Sequence, residues 1–283
     1  MTTPPSESPQ QHALRHVAAR SSGAPVDPDL RVTLNFHPDR LRQGRPILRE
    51  MAAAGVYRSQ FVTGTSNGGL TAHPGGDRWR WEQRIFGGAY DHAAEEQRPV
   101  YGALNFRRQM VGAAPRFGSA HVRLTAEPVG RSTFCYPDSF TEPEDFGVAT
   151  AMPLVALAAA DHRDALDDYI EVQVHGPVRF DRHVEALVLD PCYRGTEVEA
   201  DARLLPCPVE WHPGYRLSAA ELRRHPDFRG PEFVALGLEL ARDGELTPWI
   251  LGEASRTGRY DEQALKRVWH YVARFGAPTP AAA

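Results

Sequence analysis

The chain has 283 residues, of which 42% are hydrophobic and 24% are charged, with a formal net charge of −4. This composition is typical of a soluble globular protein, and the negative net charge gives no basic field that would favour nucleic-acid binding. The cysteines have no CxxC or zinc-finger spacing, which favours free thiols in a reducing compartment. No apolar run approaches the ~18–20 residues of a membrane span, and the first residues lack the apolar segment of a secretory signal. We therefore expect a cytoplasmic protein, although export by a dedicated machine needs no such signal and stays open.

The first third of the chain predicts three helices and two strands. Ser8 and Pro9 are an N-cap and a first helical residue, and this helix runs to about Arg20. The stretch "LRVTLNFHP" predicts a strand. A second helix begins at about Pro46 and ends at Gly55, again with proline at its start and glycine after its end. The stretch "VYRSQFVT" has the pattern of a strand that leads into the Gly-rich "GTSNGGLTAHPGGD", and "RWRWEQRIF" predicts a short helix.

Five short strands separated by turn residues follow: "RPVYGALNF", "FGSAHVRLT", "RSTFCYP", "DDYIEVQVHG" and "RHVEALVLD". Such spacing is typical of an antiparallel-rich sheet or a small sandwich. The last part of the chain predicts helices at "LSAAELRRHP" and at "DEQALKRVWHYVARF", and the second has apolar residues at helical spacing.

We find no internal repeat and no linker, so we predict a single α+β domain over residues 9–276. It consists of a core at about 30–190, with flanking helices, and a helical C-terminal extension at about 191–276. Residues 1–8 and 277–283 have low complexity and are expected to be disordered tails.

Four segments concentrate residues that can bind ligands or do chemistry. "NFHPDR" offers His37, Asp39 and Arg40, and "YRSQFVTGTSNGG" offers Ser59, Thr63, Thr65, Ser66 and Asn67. "YGALNF" and "RFGSAH" together offer Tyr101, Asn105, Arg116, Ser119 and His121. In "DDYIEVQVHG", strand alternation places Glu171, Gln173 and His175 on one face. Taken singly, each segment has an ordinary interpretation, because "HPDR" is a plausible turn and "TSNGG" is typical of a Gly-rich loop.

Several familiar sites have no support in the sequence. There is no GxxxxGK[ST] loop, no GxGxxG after a strand, no GxSxG elbow and no HExxH motif. A metal-dependent hydrolase or cupin-like enzyme could use His37, His121, Glu171 and His175, but the HxH pattern of a cupin is missing. That reading stays an alternative without an assigned metal, as does a non-catalytic binding module whose polar strand contacts a partner.

The order of the four segments resembles that of the ADP-ribosyltransferase superfamily. "VTLNFHPDR" looks like its opening Arg/His strand, followed by the Ser/Thr-bearing "SQFVTGTSNGG". "RPVYGALNF…PRFGSAHVRL" is similar to the Gly-Tyr strand and serine segment of the poly-ADP-ribose-polymerase-like branch, and "DDYIEVQVHG" looks like the glutamate strand. The resemblance covers about residues 30–180. It points to a diverged bacterial branch that has long been catalogued as a family of unknown function.

The resemblance implies split, antiparallel-rich sheets with NAD, as the substrate, in the crevice between them. The implied enzyme cleaves nicotinamide from NAD and transfers one ADP-ribose to an acceptor protein, through a transition state like that of glycoside hydrolysis. Glu171 would stabilise the positive ribose, with Gln173 and Ser66 as further catalytic residues. The implied NAD contacts are His37, Arg40, Ser59, Thr65, Asn67, Tyr101, Asn105 and Ser119. The supporting serine stays open among Ser59, Ser66 and Ser119.

Two departures from the family pattern affect the substrate. Pro38 follows His37 where the polymerase-like branch has glycine, and Tyr169 stands where arginine-specific transferases carry glutamate. Arginine is therefore not implied as the acceptor residue. The absence of a basic stripe argues against a nucleic-acid acceptor. Because the alternation places Glu171 on a polar strand face, we expect Glu171→Gln to leave folding nearly unchanged.

Overall fold

The computed structural model describes residues 7–64 and 70–276. Its helices are α1 (Pro9–Ala18), α2 (Ile47–Ala54), α3 (Gln60–Thr63), α4 (Asp77–Ile85), α5 (Glu127–Gly130), α6 (Leu154–Ala160), α7 (Glu197–Ala202), α8 (Ala219–Leu222), α9 (Pro231–Leu240), α10 (Pro248–Arg256) and α11 (Glu262–Phe275). Its strands are β1 (Val32–Phe36), β2 (Leu41–Arg42), β3 (Arg45–Pro46), β4 (Val56–Tyr57), β5 (Val100–Leu104), β6 (Ala120–Leu124), β7 (Ser132–Tyr136), β8 (Asp145–Val148), β9 (Ile170–Val174), β10 (Val178–Arg179), β11 (Val184–Leu189), β12 (Val209–Trp211), β13 (Leu217–Ser218) and β14 (Glu245–Leu246). Short 3-10 helices lie at Glu95–Gln97, Pro115–Phe117, Ser139–Thr141 and Pro191–Tyr193.

Eight strands form one large sheet in the order β12-β11-β6-β1-β5-β9-β7-β8. The pairs are antiparallel except for β11 with β12. Alternate residues of the central strands enter the main hydrophobic core, as Ile170, Val172 and Val174 do on β9. The fold is therefore mixed α+β, with a mostly antiparallel sheet and flanking helices, as predicted in outline.

The sheet is continuous where we expected split sheets, because β5 pairs with β1 on one side and with β9 on the other. The two pairings differ in length. β5 pairs with β9 over five residues, from Val100 to Leu104. With β1 it pairs only through Val32–Leu104 and Thr33–Ala103. Beyond Thr33 the two strands form no further ladder pair, so the sheet is open at one end between β1 and β5.

Local capping chemistry fixes several helix ends. Ser8 accepts a hydrogen bond from the Gln11 backbone N–H at 3.3 Å, and the Gln11 side chain accepts one from the Ser8 backbone at 3.1 Å. Ser8 thus belongs to the folded part rather than to a tail. The predicted strand at "VYRSQFVT" ends at Tyr57, because Ser59 caps α3 by accepting a hydrogen bond from the Val62 N–H.

The C-terminal extension packs around a second hydrophobic core that α9, α10 and α11 share. It also reaches the end of β1, where the Trp269 ring of α11 lies 5.0 Å from the His37 ring, centroid to centroid. The Trp269 Nε1–H donates to the Pro115 carbonyl at 2.9 Å. The extension is thereby joined to the region that carries the predicted site.

Some predictions fall outside the described residues. These include Thr65, Ser66 and Asn67, together with the predicted tails at residues 1–6 and 277–283. Among the helices that the structure describes, none has the length and apolar character needed to cross a bilayer.

Candidate functional site

A cavity of about 720 Å³ opens between β1 and β5, where the two strands part. His37 follows β1, Tyr101 lies on β5 and Glu171 lies on β9, and all three line this cavity. The C-terminal helices supply Ser255, Glu262 and Lys266 to its wall. The volume lies within the range of about 300–1,000 Å³ that is usual for small-molecule sites.

The polar face of β9 is buried instead of facing solvent. Glu171 is 7% exposed, Gln173 is fully buried and His175 is 1% exposed. Helix α4 covers this face, because its Arg78 and Glu82 are buried beside it. This face of β9 is polar, as the alternation predicted, but it is covered by protein, so a substitution at Glu171 acts on a buried group.

Four groups hold the Glu171 carboxylate. Its Oε2 accepts hydrogen bonds from the Ser139 N–H at 3.2 Å and from the Ser139 Oγ–H at 2.8 Å. Its Oε1 accepts one from Gln173 Nε2 at 3.0 Å and lies 3.7 Å from Arg78 Nη1. Burial raises the pKa of Glu171, whereas Arg78 and the hydrogen bonds from Ser139 oppose that rise. The carboxylate thus has a fixed orientation at the cavity.

Arg78 connects Glu171 to a second buried carboxylate. Its Nη1 donates to Ser139 Oγ at 2.7 Å, and its guanidinium carbon lies 4.0 Å from the centroid of the Tyr101 ring. The Tyr101 hydroxyl donates to Glu82 at 3.0 Å, and Glu82 is paired with Arg98 at 2.5 Å. Burial raises the pKa of Glu82 to about 7. Two arginines thus face two glutamates beneath the cavity.

The sequence profile of a family described as "Protein of unknown function (DUF3626)" matches residues 31–162 and 149–275 of the chain. The chain belongs to this DUF3626 family. A comparison with curated proteins finds no match. The family match runs from the beginning of β1 to the last residue of α11, so it includes the C-terminal helices that line the cavity. This match confirms the expectation that the chain belongs to a family of unknown function.

Gln173 does not line the cavity of this DUF3626 protein, and it acts on the site through its hydrogen bond to Glu171. Its amide oxygen accepts a hydrogen bond from Thr133 Oγ1 at 2.8 Å. Thr133 Oγ1 also lies 3.1 Å from His175 Nε2, and His175 Nδ1 lies 2.7 Å from the Tyr90 hydroxyl. Burial lowers the pKa of His175 to about 3, so its imidazole is neutral.

The predicted NAD contacts that lie within the described residues divide into two groups. His37, Arg40 and Tyr101 line the cavity. Three further residues make structural hydrogen bonds outside the cavity lining: Ser59 to the Glu95 carbonyl, Asn105 to the Gln109 carbonyl, and Ser119 with the Tyr193 hydroxyl. The structure brings neither Ser59 nor Ser119 to Glu171, and within residues 7–64 and 70–276 the serine that contacts it is Ser139.

Of the four residues of the metal alternative, His37 and Glu171 line the cavity, but His121 and His175 lie elsewhere. His175 contacts Tyr90 and Thr133, whereas His121 lies on β6, three strands from Glu171 in the sheet. Across residues 7–64 and 70–276, no group of three or more His, Cys, Asp or Glu side chains could hold a metal ion. The arrangement in this DUF3626 protein gives the hydrolase or cupin-like alternative no support.

Asp39 also lines the cavity of this DUF3626 protein, although we assigned it no role. It is 4% exposed, and its Oδ2 accepts a hydrogen bond from the Tyr193 hydroxyl at 3.0 Å. Burial raises the pKa of Asp39 to about 6 against the opposing charge of Arg40. Gly252 of α10 permits this packing, because a Cβ there would lie 1.7 Å from Asp39 Oδ2.

Arg78 and Ser139 are functional candidates that the sequence analysis missed. Arg78 had a usable signal, because Arg78, Trp81, Glu82 and Ile85 share one face at helical spacing and all four are buried. A charged residue on the apolar side of a short helix predicts a buried partner. Ser139 had no such signal, since it begins a 3-10 helix of only three residues between β7 and β8.

Proposed function

We propose that this DUF3626 protein is an NAD-dependent mono-ADP-ribosyltransferase that cleaves nicotinamide from NAD and transfers ADP-ribose to an acceptor protein. One observation carries the proposal. His37 directly follows β1, Tyr101 lies on β5 and Glu171 lies on β9; these strands are neighbours in the sheet, and the three residues line one cavity. The order of the motifs along the chain resembles that of the ADP-ribosyltransferases, and the cavity has a size that suits a small-molecule substrate.

In the proposed reaction, the bond between the nicotinamide nitrogen and the ribose C1′ breaks, and its electron pair leaves with nicotinamide. The ribose then carries positive charge, and a nucleophile of the acceptor bonds to C1′ and loses its proton. A carboxylate that is already oriented stabilises this charge without reorganising. Glu171 fits the requirement, because Ser139 and Gln173 hold both of its oxygens.

Arginines at the cavity would bind the diphosphate of NAD, since a guanidinium can contact two phosphate oxygens at once. Arg58 is exposed and lines the cavity. Arg40 also lines it, but its Nη1 is bound to Ser255 Oγ and lies 2.6 Å from Glu262 Oε2. Arg58 is therefore the better placed of the two for a phosphate, and Arg40 would first have to release Glu262.

Incubation of the protein with NAD labelled in its adenylate part tests the proposal. We expect release of nicotinamide and labelling of a protein, and we expect Glu171→Ala to abolish both. Glu185→Gln is the matched control, because Glu185 is a strand glutamate on β11 that pairs with Arg31 and Arg123. Circular dichroism would show that each variant folds.

Three results would contradict the proposal in different ways. A wild-type protein that binds NAD without releasing nicotinamide would instead be a binding module. Nicotinamide release without any labelled protein would indicate hydrolysis of NAD by water. Equal activity of wild type and Glu171→Ala would show that Glu171 is not the catalytic carboxylate.

A further inference from the structure

Glu171 and Arg78 form an ion pair at the wall of the cavity. Their Oε1 and Nη1 atoms are 3.7 Å apart, and their side chains are 9% and 4% exposed. A carboxyl buried to this degree favours its protonated form, because the low-dielectric interior disfavours an isolated charge. Only the ionised form can stabilise positive charge on a substrate. Whatever keeps Glu171 ionised therefore decides whether the site can act.

The groups around Glu171 come from several elements. Ser139 donates two hydrogen bonds, and Gln173 donates one from the same strand. The Cys135 sulfur of β7 lies 3.9 Å away, and burial raises the pKa of its thiol, so it is neutral. The pKa values of Tyr101 and Tyr169 are also raised by burial, so these phenols carry no charge either.

Among the described residues, Arg78 and Asp138 are the charged groups that act on Glu171, and they act in opposite directions. Asp138 adds negative charge and raises the pKa of Glu171, whereas Arg78 lowers it. Among the described residues that act on Glu171 in this way, Arg78 is the strongest opponent of burial. Arg78 also faces Glu82, but Glu82 is itself paired with Arg98.

The position of Arg78 is fixed independently of Glu171. Its Nη1 donates to Ser139 Oγ at 2.7 Å, and its guanidinium lies over the Tyr101 ring. Arg78 belongs to α4, Tyr101 to β5 and Ser139 to a 3-10 helix. The cation is thus held from more than one side and does not depend on a ligand for its placement.

We propose that Arg78 is a positioning residue that keeps the buried Glu171 carboxylate ionised and so makes the cavity able to bind a positively charged group. The identification of this positively charged group as the ribose of NAD rests on the proposed function. The ionisation of Glu171 does not, because it can be measured without NAD.

Infrared difference spectra against Glu171→Gln would follow the protonated carboxyl band of Glu171 as the pH is changed. Arg78→Gln removes the charge but keeps a donor for Ser139, and Arg78→Lys keeps the charge. We expect Arg78→Gln to raise the midpoint of the Glu171 titration by about one pH unit or more, and Arg78→Lys to stay closer to wild type. Arg80→Gln is the matched control, because Arg80 lies on the same helix with a side chain that is 70% exposed.

The acid limb of nicotinamide release should move to higher pH in Arg78→Gln by the same amount. An unchanged Glu171 midpoint in Arg78→Gln would overturn the proposal, and so would equal midpoints in the Gln and Lys variants. If Arg78→Gln does not fold, Arg78→Lys is compared with wild type instead. A rise of about one pH unit or more in the Glu171 midpoint of Arg78→Lys, which keeps the charge, would contradict the proposal. A wild-type protein that releases no nicotinamide would end the proposed function and leave the infrared result valid.

Discussion

Ser139 donates two hydrogen bonds to one oxygen of Glu171, from its backbone N–H at 3.2 Å and from its hydroxyl at 2.8 Å. The same hydroxyl accepts a hydrogen bond from Arg78 at 2.7 Å. Ser139 therefore lies between the cation and the carboxylate and fixes the distance between them. Sequence reasoning placed a supporting serine elsewhere, at Ser59, Ser66 or Ser119.

Ser139→Ala should lower nicotinamide release about tenfold or more, because it removes a hydrogen bond to a charged group worth roughly 1.5–3 kcal/mol. The backbone N–H of residue 139 still donates, so some activity should remain. Thr141→Ala is the matched control, since Thr141 lies in the same 3-10 helix and its hydroxyl donates to the Asp138 carbonyl. Steady-state rates for both variants give the comparison, and equal rates would show that the Ser139 hydroxyl has no catalytic part.

Glu171→Gln should lower the free energy of unfolding by about 2 kcal/mol or more, because the buried Arg78 loses its charged partner. This reverses the expectation that the sequence alone supported. Chemical denaturation measures the loss, and Glu210→Gln on the edge strand β12 should change stability by less than about 1 kcal/mol. A double variant that also carries Arg78→Gln should recover part of the loss, and its failure to do so would show that the two residues do not interact.

The pKa of Asp39 is raised by burial from 3.8 to about 6, which predicts a pH-dependent stability. A raised carboxyl pKa means that the native state binds the proton more tightly, so this group destabilises the fold above about pH 6 and the penalty shrinks as the pH falls toward 3.8. At about 1.4 kcal/mol per pH unit, the penalty near pH 7 is about 3 kcal/mol. Asp39→Asn should remove it.

Denaturant unfolding at about pH 7 and about pH 4 tests this expectation. Asp39→Asn should have a higher free energy of unfolding than wild type, and this increase should be about 2 kcal/mol larger at about pH 7 than at about pH 4. The exposed Asp227→Asn serves as the control. If the difference in the free energy of unfolding between wild type and Asp39→Asn is the same at both pH values, the raised pKa of Asp39 is contradicted.

Gly252→Ala should destabilise the protein by roughly 1–3 kcal/mol, because the new Cβ would lie 1.7 Å from Asp39 Oδ2 and α10 must move. Gly130→Ala is the matched control, since a Cβ there meets no atom within 4 Å. That control should be neutral or slightly stabilising, as alanine favours helix over glycine. Thermal unfolding compares the two, and equal melting temperatures would show that α10 does not pack closely on Asp39.

The predictable parts of the fold are those that depend on neighbouring residues. Alternation placed β9 and divided its two faces correctly, and capping by Ser8 and Gly55 fixed the ends of α1 and α2. Whether the polar face of β9 is exposed to solvent or buried depends instead on α4, which lies far from β9 in the sequence. The residue pattern of β9 does not contain that information, so the burial of Glu171 could not be predicted from its own strand.

The site was predictable in its strand residues and not in its supports. His37, Tyr101 and Glu171 stand in recognisable strand motifs and do line one cavity. Ser139 contacts Glu171 from a short 3-10 helix that lies 32 residues away in the sequence. The opening between β1 and β5 depends on where ladder pairing stops, which the residue pattern of either strand does not specify.

The cavity wall joins distant parts of the chain, and this has a consequence during synthesis. Arg40 contacts Ser255 across 215 residues and Glu262 across 222 residues. A nascent chain can form β1 and β5 early, but it has no closed cavity until α11 has been made. The ribosome therefore releases nearly the whole of this chain before the wall of the cavity can be complete.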